Sequence, residues 1–146
     1  MKKLSFSTTI AAPARKVWNI LWSDETYRQW TSVFAEGSYA ITDWQEGGKI
    51  NFLGPDGGGM YSMIEKKVPD EKMIFRHLGV IRDGLEQPLD ELTRQWTGSI
   101  EAYTLMTHDD ITELLVELDV VDGHEQMFSE KFPIALQKVK ELAEKG

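Results

Sequence analysis

From Lys3 to Ile10 the side chains alternate, with Leu4, Phe6, Thr8 and Ile10 on one side and Lys3, Ser5, Ser7 and Thr9 on the other. That is the period of a half-buried β-strand. Pro13 follows two alanines, a favoured first helical position. Val17, Trp18, Ile20, Leu21 and Trp22 then form a wide apolar stripe at helical spacing, so a first helix is expected. Ser23-Asp24, with Glu25 in the first turn, caps a second short helix through Tyr27 and Trp30.

After Trp30 the pattern changes to short β-type runs at Ser38–Trp44, Gly48–Leu53, Met60–Val68, Lys72–Gly79, Arg94–His108 and Asp110–Val121. Turn residues separate them at Glu46-Gly47-Gly48, Gly54–Gly59, Pro69-Asp70 and His108-Asp109-Asp110. Val80–Leu92 is too long for a hairpin turn and is expected to be an excursion over the surface or over a cavity mouth. Asp122 and Glu125 make a capping-box-like start for a final helix. Along it Phe128, Phe132, Leu136, Val139 and Leu142 form a stripe that needs an apolar partner, and Pro133 should kink that helix or mark where its regular part begins. This order predicts one α+β domain over residues 1–146. It is a bent antiparallel seven-stranded sheet wrapped on the long C-terminal helix, with two short helices after the first strand. Covering a bent sheet with one helix tends to leave an internal cavity.

Composition narrows the partners. With 24 acidic and 16 basic residues the formal charge is −8, which disfavours nucleic acid and anionic lipid surfaces. No stretch approaches a signal peptide or the ~20 apolar residues of a membrane span, so a cytoplasmic protein without membrane insertion is expected. The absence of cysteine excludes disulfides and thiolate chemistry. The three histidines, His77, His108 and His124, are far apart and lack metal-site spacing, so neither a metal nor a cofactor is expected.

Aromatic residues are the strongest local signal. Five tryptophans, Trp18, Trp22, Trp30, Trp44 and Trp96, stand with Tyr61, Phe75, Tyr103, Phe128 and Phe132 in a chain this small. Such a set fits plain core packing or the walls of a ligand pocket. His77 shares a strand face with Met73 and Phe75, which makes it a polar group in an apolar hollow if that face is inward. Glu101 and Tyr103 share one strand face, while Trp96, Ile100 and Ala102 fall on the other; a bulge near Gly98 would reconcile them. An inward Glu101 would need a partner such as Arg76, Arg94 or a ligand donor, and a surface position is the alternative. Gly54–Gly59 reads as a hairpin turn, since it lacks the Lys-Ser/Thr ending and following helix of a phosphate-binding loop.

Several segments together resemble the SRPBCC superfamily, also called START or Bet v 1-like, and within it the heat-shock protein 90 ATPase activator homologues. They are Ala12-Pro13 through Trp18, Asp24 through Trp30, Phe75-Arg76-His77-Leu78-Gly79, Trp96 through Leu105, and Phe132-Pro133 through Ala143. The resemblance implies a helix-grip fold with an internal cavity and, in many branches, binding of lipids, sterols or polyketides. One departure matters: Gly57-Gly58-Gly59 lies one hairpin later than the glycine-rich loop of plant relatives.

The expected function is binding or carriage of a small hydrophobic ligand by Trp30, Trp44, Phe52, Tyr61, Met63, Phe75, His77, Trp96, Glu101, Tyr103, Phe128 and Phe132. No catalytic residue is assigned. A cyclase- or hydrolase-like enzyme using the same cavity and a chaperone-interacting module are the alternatives, with a monomer or homodimer as the assembly.

Overall fold

The computed structural model describes residues 1–145. The chain runs β1 (Lys2–Ile10), α1 (Ala14–Trp22), α2 (Asp24–Thr31), β2 (Tyr39–Thr42), β3 (Lys49–Leu53), β4 (Gly59–Val68), β5 (Lys72–Arg82), β6 (Leu85–Glu86), α3 (Glu91–Arg94), β7 (Ile100–His108), β8 (Ile111–Val120) and α4 (Glu125–Glu144). Strands pair antiparallel in the order β1-β8-β7-β5-β4-β3-β2, and β6 folds back on the end of β5. The first strand thus lies beside the last, and α4 crosses β1, α1 and α2. Between sheet and helices sits one core, including Ile10, Ile50, Ile64, Met73, Phe75, Tyr103, Leu114 and Val116 from the strands and Val17, Leu21, Phe132, Leu136 and Val139 from the helices. Among the described residues no helix is long and apolar enough to cross a membrane.

Three sequence expectations are corrected. Val80–Leu92 is not an excursion, because β5 continues to Arg82 and returns through Asp83-Gly84, both with positive φ (53° and 77°). That two-residue turn matches the right-handed strand twist and is the commonest hairpin connection. The strand expected from Arg94 begins only at Ile100, because the Asp90 carboxylate accepts the Thr93 N–H (2.7 Å) and starts α3. At α4 the expected Asp122 cap is absent; instead the Glu125 carboxylate accepts the Gly123 N–H (3.1 Å). Its buried residues are Phe132, Ala135, Leu136, Val139 and Ala143, with Phe128 and Leu142 half-buried at the edge of the stripe, and Pro133 lies exposed within an unbroken helix.

Close approach of β3 and β4 depends on Gly59. A methyl group there would overlap the Phe52 carbonyl oxygen. The obstacle is backbone, so the strands must separate. Gly59→Ala is expected to cost roughly 1–3 kcal/mol, the usual range of overpacking, measured by chemical denaturation.

Candidate functional site

The inward residues of the central strands are apolar except along one line. On β5, Met73, Phe75 and His77 are buried, and on β7 Tyr103 and Leu105. Between β4 and β5 the register slips, with Tyr61 opposite Gly79 but Ser62 opposite His77, which leaves Leu78 unpaired. This bulge sets Ser62 beside His77. Ser62 Oγ lies 2.7 Å from His77 Nδ1, and His77 Nε2 lies 3.0 Å from Glu101 Oε1. The Tyr103 hydroxyl donates to the other oxygen of Glu101.

A neutral His77 with its proton on Nε2 satisfies every member: Ser62 donates to Nδ1, and Nε2–H donates to the carboxylate. All the hydrogens then point toward Glu101. Ser62 and Tyr103 are 0% and 1% exposed, whereas the Glu101 side chain keeps 22% of its surface. Glu101 is therefore the least buried member of the chain. Arg76, considered above as its partner, instead pairs with Glu65.

Rings enclose the chain. Phe52 meets His77 (centroids 5.7 Å) and Phe75 (5.1 Å), and Trp22 meets Tyr103 (4.9 Å) and Phe75 (5.4 Å). Trp30 packs on Tyr103 (6.2 Å) and donates from Nε1 to the Leu21 carbonyl (3.1 Å). Burial and then the nearby Glu101 carboxylate push the Tyr27 and Tyr103 phenols well up from their ordinary range. Because the folded-state values are raised, this stabilisation is fully present below the unfolded value of about 10 and is lost as pH rises above it. Stability is thus expected to fall above about pH 10, and less steeply in Tyr27→Phe, as read from urea midpoints at successive pH values.

Of the residues singled out in the sequence, Phe52, Phe75, His77, Glu101, Tyr103 and Trp30 come together here. Trp44 meets Trp22 (5.8 Å), while Phe128 and Phe132 pack with Phe34 beneath α4. Tyr61 and Met63 are corrected: they pair with Asn51 and Lys49, on the face opposite inward Ile50 and Ser62. Tyr61 covers Gly79 there. Trp96 is corrected too, since it stands in the turn between α3 and β7 and not on a strand; the positive φ of Gly98 (87°) precedes β7. Ser62, Trp22 and Tyr27 were missed as site residues. Ser62 alternates with Ile64 as an inward position, but its pairing with His77 depends on a bulge that strand periodicity does not reveal.

The interior space is largely filled by these rings. Hollows open to the surface remain on the flanks, one of about 190 Å³ beside Trp18, Trp22 and Trp44, another of about 280 Å³ beside Val68, Lys72 and Leu105.

An antiparallel sheet gripping a long C-terminal helix, with short helices after the first strand, is the helix-grip class. The chain belongs to the family described as activator of Hsp90 ATPase homolog 1-like protein, whose model matches residues 11–144. Among solved structures it is similar to the Aha1 dimer of Colwellia psychrerythraea, at 19% identity, with 100% of both chains covered and a TM-score of 0.73. A Mesorhizobium loti protein matches at 15% identity over 97% of this chain and 96% of its own, with a TM-score of 0.72. DynU16, described as a putative protein in the dynemicin biosynthetic locus, matches at 14% identity over 100% of this chain and 48% of its own, with a TM-score of 0.73. The curated proteins give no match.

Proposed function

We propose that the protein binds a small, mainly apolar molecule whose hydroxyl or amine group donates a hydrogen bond to Glu101. The observation that carries this reading is the Ser62–His77–Glu101–Tyr103 chain, whose only substantially exposed member is an acceptor. A carboxylate offers about four lone-pair sites, and His77 and Tyr103 occupy two of them. Apolar walls with a few placed polar groups are the usual composition of a small-molecule site.

A second reading draws on the same chain. His77 and Tyr103 hold both oxygens of Glu101 in place, an arrangement that would position the carboxylate for proton transfer from a bound substrate. A fold neighbour from a biosynthetic locus is in keeping with such cyclase-like chemistry. Action on a chaperone, which the family description raises, would use the outer surface instead.

Displacement of a neutral hydrophobic dye, Nile red, by 2-naphthol and 2-naphthylmethylamine tests the binding reading. Saturable one-to-one displacement is expected. Glu101→Gln should weaken it about tenfold or more, since hydrogen bonds to charged groups contribute about 1.5–3 kcal/mol. Equal affinity in the folded variant contradicts the reading.

A further inference from the structure

The hollow of about 190 Å³ is lined by Trp18, Trp22, Trp44, Lys67 and Met73 among others, with no residue of the Ser62–His77–Glu101–Tyr103 chain on its walls. Its construction is unusual at Trp44, whose φ of 59° is left-handed. A bulky aromatic residue rarely adopts that conformation. Two hydrogen bonds hold it: Trp44 N–H donates to Thr42 Oγ1 (3.0 Å) and Lys67 Nζ donates to the Trp44 carbonyl (2.9 Å). The result is an indole set 5.8 Å from Trp22, which itself meets Trp18 at 6.2 Å.

Two donors on these walls lack full partners. Trp22 Nε1 is buried without an acceptor, and its residue is 7% exposed. Lys67 Nζ bonds a neutral carbonyl and, among the described residues, pairs with no carboxylate; Glu46 accepts the Lys67 backbone N–H (2.9 Å) instead. Three indoles favour a flat ring, an unpaired ammonium favours an anion, and an empty space somewhat above the 150 Å³ that accepts benzene sets the size.

We propose that this hollow is a second binding site, separate from Glu101, for a planar aromatic carboxylate: the ring lies among Trp18, Trp22 and Trp44, and the carboxylate pairs with Lys67. The Trp44 strain is retained because it builds this wall.

Titration with 1-naphthoate, followed by tryptophan emission and calorimetry, tests the proposal. One saturable site is expected, with 1-naphthalenemethanol, which lacks the charge, binding about tenfold or more weakly. Lys67→Met should lower 1-naphthoate affinity by the same factor in a chain that still melts cooperatively, at a somewhat lower temperature because the hydrogen bond to the Trp44 carbonyl is lost. Trp44→Gly, which relieves the left-handed backbone, should fold yet lose binding. Glu101→Gln should leave 1-naphthoate affinity intact, so failure here and failure at Glu101 are distinguishable. Absence of saturable 1-naphthoate binding, or equal affinity in Lys67→Met, overturns the proposal.

Discussion

A chain ending at Val121, without α4, is expected not to melt cooperatively. The helix buries Phe132, Leu136 and Val139 to 3%, 2% and 0% exposure. Each such side chain contributes about 1.5–3 kcal/mol when buried, so the three together are comparable to the whole stability of a typical domain, about 5–15 kcal/mol. Phe132 stacks on Phe6 at 5.2 Å and meets Phe34 edge-on at 4.8 Å, so its loss uncovers β1 and the segment after α2 together. Polar ties add to the dependence: Lys140 Nζ donates to the Thr9 carbonyl and Glu144 accepts the Ala11 N–H, both at 2.8 Å. Circular dichroism melting of the truncated chain measures this directly. The point variant Phe132→Ala, expected to lose about 3–5 kcal/mol, gives the same information in a full-length chain. A truncated chain with a sharp transition near the full-length temperature would make α4 peripheral.

Trp22→Ala carries the next largest expected effect. Its indole meets five rings, those of Trp18, Trp30, Trp44, Phe75 and Tyr103. Removing a buried aromatic of this kind costs about 3–5 kcal/mol, or roughly 10 °C in melting temperature for a chain of this length. Trp22→Phe should cost distinctly less, because it keeps a ring against the same neighbours and leaves a smaller cavity. The comparison needs guanidinium denaturation of both variants. A loss under about 1 kcal/mol in Trp22→Ala would mean that the cluster repacks freely around the space.

Alternation and helical spacing gave β1, α1, α2, β8 and α4 nearly to the residue, because in these elements one face is buried and the other is wet. What the period does not encode went astray. Asp83-Gly84 is a strong hairpin signal, but the short apolar runs Val80-Ile81 before it and Leu85 after it carry too few alternating positions to mark strands. The strand before β8 was drawn too early because Trp96 looks like a strand residue, whereas Asp90 and Gly98 set a helical turn and a left-handed link ahead of Ile100.

The candidate site divides the same way. His77, Glu101 and Tyr103 stand out in the sequence as polar groups among apolar strand positions, but strand parity alone leaves open whether Glu101 and Tyr103 face inward or out. Tyr61 and Met63 were assigned to the wrong face because β4 is flanked by half-buried positions on both sides. Ser62 was invisible, since only the bulge opposite Leu78 places it against His77. Side-chain volume is likewise not a periodic property. The surplus of aromatics was read as a cavity wall, and in the structure most of those rings fill the space themselves.

The most direct test of the role proposed for Glu101 is to map one ligand by NMR. In a two-dimensional titration with 2-naphthylmethylamine, the largest saturable shifts are expected at Phe52, Phe75, His77, Glu101 and Tyr103, and they should vanish in Glu101→Gln. Shifts confined to other surfaces, or no saturation while the protein remains folded, would contradict a ligand anchored at the end of the Ser62–His77–Glu101 chain.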